Sequence, residues 1–247
     1  MKFDSSRMWQ MHPAFAIFDM DGTLVDSMKY WMRLGEEYLR MKGVSDADAA
    51  PVLAHLAEQT ISQSSALMVR TFHWNITPQE VADEINGLMQ EHYRRDVPLK
   101  QGVRAYLGGL AAAGVRCCVA SASDPDNVRL CLGRSRVADA FEFSLSCEVY
   151  GSKSKPDIYL ACARRFGAVP QDIVVYEDAL YALRTAKAAG FSTVGILDAW
   201  DRQEWPLIRE VSDAVTEDFR TFSGREKPFR NGLCRLSGGL DSLHKRK

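Results

Sequence analysis

Apolar residues along this chain come in two kinds of pattern, short unbroken runs and longer stretches with a three-to-four-residue period. The run AFAIFDM (14–20) is apolar until it meets acids, which suits a central strand buried on both faces. From Met28 the period changes. Met28, Trp31, Leu34, Tyr38 and Met41 recur three or four apart, and Val81, Ile85, Leu88, Met89 and His92 do so again, which predicts amphipathic helices. The second of these opens on TPQE, where Thr77 caps, Pro78 suits the first turn and Glu80 reaches back to form a capping box. Residues 28–97 therefore read as all-helical. After Pro98 the short runs return. Val103, Tyr106, Leu107 and Leu110 mark a helix ending near Gly114, VRCCVA (115–120) is a buried-type strand, and 156–166 reads as a helix. IVVY (173–176) is a strand, the following helix stops at Gly190, and FSTVGIL (191–197) is another strand.

Strands separated by helices of this length predict an α/β fold, a doubly wound parallel sheet with helices on both faces. The helical stretch 27–97 is an inserted cap domain, and 11–26 with 98–222 make up the core. Such sheets place their chemistry at the carboxyl ends of the strands. The polar residues fall there: Asp19 and Asp21, Ser121 and Ser123, Glu177 and Asp178.

Composition narrows the class of function. The chain has 247 residues, 46% of them hydrophobic, and a formal net charge of -1, so no general attraction to nucleic acid or an acidic membrane is expected. No apolar stretch approaches membrane-spanning length, and a cytoplasmic protein is expected. The six cysteines contain no C-x-x-C pair and are expected to be reduced, mostly buried thiols. The five histidines show no ligand spacing. From Ser223 the chain carries seven Lys or Arg against two acids, with many glycines and no period. That composition predicts a poorly packed basic tail over 223–247 rather than a folded basic face.

The stretch IFDMDGTLVDS (17–27) raises the chemistry. Two acids one residue apart at a strand end are held rigidly, and with Asp178 on a neighbouring strand they can hold Mg²⁺, which prefers hard oxygen ligands. One carboxylate can then act as nucleophile while the other moves a proton. Gly22 lets the backbone turn closely beneath a phosphate, and Ser121 with nearby backbone N–H groups can bind its oxygens. Gly22, Thr23, Ser121 and Ala122 are thus the candidate substrate-binding residues, and a lysine is still needed for charge balance. Taken alone, a D-x-D is more often a loop or helix cap, and Glu177 with Asp178 equally suits a helix amino end.

DMDGTLVDS resembles the first motif of the haloacid dehalogenase superfamily, in its phosphatase and phosphomutase branch with a helical cap. VASAS, GSKSKPDIYLACA and VVYEDALYALRTAKAAG follow in the order and spacing of the remaining motifs, so the resemblance covers about residues 14–220. It implies Asp19 as the nucleophile that forms an aspartyl-phosphate, Asp21 as general acid and base, and Ser121 as the phosphate-binding hydroxyl. Asp19, Asp21, Glu177 and Asp178 are implied for Mg²⁺, with Glu177 acting through water. The implied lysine is Lys153, with Lys155 as the alternative. The chain departs from the family pattern at Ala179 and Ala182, where a serine and a glycine are usual, and at Ser154, where proline is usual.

The expected function is a Mg²⁺-dependent phosphatase of a small phosphorylated metabolite; the oligomeric state is left open. The alternative is a sugar phosphomutase resembling β-phosphoglucomutase. Such an enzyme holds a second phosphate with a cap arginine, where the matching segment here offers Gln63, and has a histidine where Trp31 stands. A dehalogenase of this superfamily lacks the second aspartate, and a non-catalytic scaffold has no reason to keep Asp19, Asp21, Ser121, Lys153 and Asp178 together.

Overall fold

In the computed structural model, which describes residues 13–56, 61–200 and 202–223, the first apolar run forms strand β1 (Phe15–Phe18). The other strands are β2 (Arg116–Ser121), β3 (Phe143–Ser146), β4 (Ile173–Glu177), β5 (Ser192–Ile196) and β6 (Ala214–Thr216). They form one six-stranded sheet in the order β3-β2-β1-β4-β5-β6, every pair parallel. The chain order reverses beside β1, which makes the crevice at its carboxyl end the natural ligand site of a doubly wound sheet.

Burial on both faces explains the unbroken apolar runs. Ala16 and Phe18 of β1, Cys117 and Val119 of β2, and Val174 and Tyr176 of β4 share one core layer. Ile17, Cys118, Ala120, Ile173 and Val175, their neighbours along the same strands, belong to the other. Phe18 and Tyr176 stack across adjacent strands with ring centroids 4.3 Å apart. Helices α5 (Val103–Ala112), α6 (Pro125–Arg134), α7 (Cys147–Tyr150), α8 (Asp157–Phe166), α9 (Leu180–Ala188), α10 (Trp205–Val211) and α11 (Arg220–Ser223) complete the core, numbered after the four helices of the insertion.

Those four are α1 (Met28–Met41), α2 (Asp46–Leu56), α3 (Ile61–Phe72) and α4 (Pro78–Arg95). The apolar period turns Leu34, Tyr38 and Leu39 of α1 and Val81, Ile85, Met89 and Tyr93 of α4 inward. Thr77 and Glu80 make the reciprocal bonds of a capping box at the head of α4. His92 instead lies at the edge, between Glu37 of α1 at 2.7 Å and Asp96 at 3.1 Å. The two crossings between sheet and insertion run side by side: Val25 bridges Leu99, Asp26 N donates to Pro98 O and Lys100 N to Leu24 O, both at 2.9 Å.

Sequence reading did not reach β3 and β6. They have four and three residues, and the segments FSLS and AVT lack an apolar run long enough to register. The five cysteines described are free thiols, four of them buried. Cys234, His12, His244, the start of the core at 11–12 and the basic tail from 224 lie outside the described residues. Among the described residues no helix is long and apolar enough to cross a membrane.

Candidate active site

Asp19 extends β1 by one step, its backbone N donating to Tyr176 O of β4 at 3.0 Å. The chain then turns within four residues, with Gly22 N on Val25 O and both Leu24 N and Val25 N on Met20 O. Gly22 sits at φ +80, and a Cβ there would lie 2.0 Å from Asp178 Oδ2. The turn therefore needs glycine twice over, for its left-handed backbone and for the close approach of the next strand's carboxylate. Gly22→Ala is expected to destabilise the protein by about 1–3 kcal/mol through the strained backbone. By displacing Asp178 it should also weaken divalent-cation binding on the order of tenfold or more. Thermal unfolding and calorimetric titration with Mg²⁺ measure the two effects.

The carboxyl end of β4 supplies Glu177 and Asp178, both buried. Thr23, in the β1 turn, donates its hydroxyl to Asp178 Oδ1 at 2.9 Å and is itself fully buried. Its side chain thus holds an acid in place rather than facing the cleft, where sequence reading placed it among the substrate contacts. This bond also supplies from the opposite loop a hydroxyl that Ala179 does not offer. Glu177 Oε2 accepts the backbone N–H groups of Asp178 and Ala179, at 3.0 and 3.1 Å, at the start of α9. Its Oε1 accepts from Lys153 Nζ at 2.6 Å and from Tyr159 at 3.3 Å.

Lys153 is the hub. Its buried ammonium, 3% exposed, also donates to Asp19 Oδ1, so one cation bridges the ends of two strands. Burial alone would lower its pKa, but Asp19 and Glu177 outweigh it and hold the group well above the ordinary lysine value. Asp19 is governed first by burial, which works against the pull of Lys153 and pushes its pKa up to about 7. Lys155 is exposed. Of the two lysines, it is Lys153, the one selected by its spacing, that the fold brings to Asp19.

Asp19, Glu177 and Asp178 each offer a carboxylate oxygen, and the three lie within 4.8 Å of one another. Burial, reinforced by the charges of Glu177 and Asp19, raises Asp178 well above the ordinary aspartate range, with Lys100 only partly opposing. Buried acids with too little positive charge, all hard oxygen donors, fit Mg²⁺. Glu177 already accepts bonds at both oxygens, so Asp19 and Asp178 would be the direct donors to such an ion, with Glu177 behind them.

Asp21 turns its carboxylate away from this cluster. Its Oδ1 accepts from Ser27 and Tyr93, and its Oδ2 from Ser123, each at 2.6 Å. This side chain, read from the sequence as moving a proton and not as binding the metal itself, is not among the acids grouped with Asp19, Glu177 and Asp178. Ser121 is buried and its hydroxyl accepts from Ser123 N at 3.0 Å, while Ala122 lines the cleft. That cleft has a volume of about 1200 Å³ and runs from Asp19, Lys153 and Asp178 up to Asn86 and Gln90 of α4.

Asp19, the bridging Lys153 and the buried acid Asp178 thus meet at the carboxyl ends of adjacent parallel strands beneath a helical insertion. The family model of the haloacid dehalogenase-like hydrolases matches residues 15–190. The chain belongs to that family. Among curated haloacid dehalogenase-like relatives, hexitol phosphatase B of Escherichia coli is 29% identical over 181 residues, covering 72% of this chain and 81% of that protein. Hexitol phosphatase A of the same organism is 29% identical over 220 residues, covering 86% and 94%. Among solved structures, CbbY from Rhodobacter sphaeroides in complex with phosphate superposes with a TM-score of 0.65 at 21% identity, over 84% of this chain and 95% of that one. β-Phosphoglucomutase from Clostridium difficile gives 0.62 at 18% identity, over 85% and 92%. At these identities the structures share the fold of the family.

Sequence reasoning missed two neighbours of Asp21 in this haloacid dehalogenase-like site. Ser27 closes the first motif and was legible as a polar residue there. Tyr93 carried no such signal, because it follows Met89 by four residues and reads as one more inward position of a helix.

Proposed function

We propose that this protein is a Mg²⁺-dependent phosphatase that hydrolyses a small, singly phosphorylated metabolite through an aspartyl-phosphate on Asp19. The observation that carries the reading is the convergence of Asp19, Lys153 and Asp178 at the floor of a cleft whose side holds Asp21. In the first step an Asp19 oxygen attacks phosphorus, the bond to the leaving oxygen breaks, and Asp21 gives that oxygen its proton. In the second, Asp21 takes a proton from water, the water oxygen attacks phosphorus, and the Asp19–phosphorus bond breaks to release phosphate. Lys153 keeps Asp19 aimed and balances charge as oxygens gather around it. Mg²⁺, held by Asp19 and Asp178, would neutralise the phosphate's negative charge.

Two relatives are named for phosphatase activity on hexitols, which supports a polyol or sugar monophosphate as substrate. The cleft supports the same choice. Among the described residues lining it, Lys153 is the sole lysine or arginine, while Asp83, Asp126, Glu148 and Glu204 add negative charge. A second phosphate there would be desolvated without a cationic partner, which is costly. Gln63 and Arg70 of α3 are both exposed and neither lines the cleft. This favours hydrolysis over a mutase cycle.

The test is phosphate release from a panel of sugar, hexitol and nucleotide phosphates and phosphorylated glycolytic acids, with and without Mg²⁺. Metal-dependent release is expected, fastest from monophosphates of otherwise uncharged sugars and polyols. β-Glucose 1-phosphate with a catalytic amount of its bisphosphate completes the panel. Conversion to glucose 6-phosphate that outran phosphate release many times over would make the protein a mutase.

A further inference from the structure

Three hydroxyls converge on Asp21, and one of them comes from the last helix of the insertion. Ser27 and Ser123 belong to segments that flank the site, whereas Tyr93 lies near the end of α4, 72 residues from Asp21. The ring is fully buried, so the hydroxyl is fixed by packing as well as by its bonds.

The protons can be assigned. Trp31 Nε1–H, on α1, only donates, and it lies 3.2 Å from Tyr93 Oη, so the phenol oxygen accepts there. Ser27 gives its proton to Asp21 Oδ1 and Ser123 to Oδ2. The phenol's single proton is left for Asp21 Oδ1 at 2.6 Å. Burial, with the nearby charge of Asp21, raises the phenol's pKa far above its ordinary value, so it stays a donor wherever the enzyme works.

We propose that Tyr93 is a positioning residue that aims the Asp21 carboxylate from the helical insertion, and that Trp31 orients the Tyr93 hydroxyl for this task. Proton transfer at the leaving oxygen is then competent only when α4 is seated against the site. The seat is visible in the contact of α4 with α6, where Gln90 Nε2 donates to Asn127 Oδ1 at 3.2 Å. A substrate that brings α4 down thereby aligns the acid, which couples binding to chemistry.

This inference rests on the phosphatase reading, and the test separates the two. Tyr93→Phe keeps the buried ring and removes only the hydroxyl. Two esters are compared in kcat/KM: p-nitrophenyl phosphate, whose phenolate departs without a proton, and the aliphatic phosphate hydrolysed fastest in the panel above, whose alkoxide needs one. Tyr93→Phe should lose about tenfold or more on the aliphatic ester and less than about threefold on p-nitrophenyl phosphate. Trp31→Phe, at a half-buried position, should shift the ratio in the same direction by less, and it carries the test if Tyr93→Phe does not fold. A purely structural role would depress both esters in equal proportion through a loosened insertion, and that result overturns the tether. Wild-type protein that releases phosphate from neither ester overturns the phosphatase reading, and the tether with it.

Discussion

Asp19→Asn should leave the fold intact and reduce phosphate release by a factor on the order of 10⁴ or more, because an amide does not attack phosphorus and no other acid sits at its place on β1. The native enzyme should be inhibited by beryllofluoride, which mimics an aspartyl-phosphate, and the Asn variant should not bind it. Full turnover in the variant would remove Asp19 from the mechanism. The substitution also has a signature in stability. The Asp19 carboxyl is raised to about 7 in the fold, chiefly by burial. The folded state therefore holds a proton that the unfolded chain releases near pH ~4, and stability without metal is full below that point and falls as pH rises toward 7. Asn carries no such proton. Thermal unfolding in chelator should show a shallower decline over that window for Asp19→Asn than for wild type, the remaining slope coming from Asp178, which is raised in the same direction.

The second large effect belongs to Lys153. Its ammonium is the shared partner of Asp19 and Glu177, and all three groups are buried. Replacing it with methionine fills the space but strands two acids in a site of low polarity, and breaking such a cluster costs about 3–5 kcal/mol. Lys153→Met should accordingly lower thermal stability sharply at neutral pH, recover part of it in acid as the stranded carboxylates take up protons, and lack measurable turnover. Adding Glu177→Gln should return some of the lost stability without returning activity. Lys155→Met, at an exposed position two residues on, should stay within about 0.5 kcal/mol of wild type and keep full activity. If the two lysine variants behaved alike, the bridge between β1 and β4 would not be the organising contact of the site.

Much of this was legible in the linear chain because burial on both faces of a parallel sheet leaves a mark that needs no partner to be read. The runs at 14–20, 115–120, 173–176 and 191–197 each correspond to a strand, and the period of three or four between 28 and 97 corresponds to helices. The acids at the ends of two of those runs were equally visible, since a strand end is a position in sequence before it is a place in space. Edge strands escaped, because serines interrupt FSLS in β3 and β6 has only three residues, so neither carries an apolar run.

Distance along the chain decided what else escaped. Which of two lysines reaches Asp19 depends on how the loop between α7 and α8 folds back across 134 residues of sequence, and only the packed sheet brings Lys153 within reach while leaving Lys155 exposed. Thr23 belongs to the first motif, yet its hydroxyl is taken up by Asp178, 155 residues away. Tyr93 shows the limit most plainly. The periodic pattern predicted the helix but ended on His92 and passed over Tyr93, four residues after Met89; that the Tyr93 hydroxyl meets Asp21 is a product of how α4 packs against α1 and α6. Periodicity encodes which face of an element is hidden from water. It does not encode which polar atom waits on the other side, because that depends on the relative placement of elements that tertiary packing alone sets.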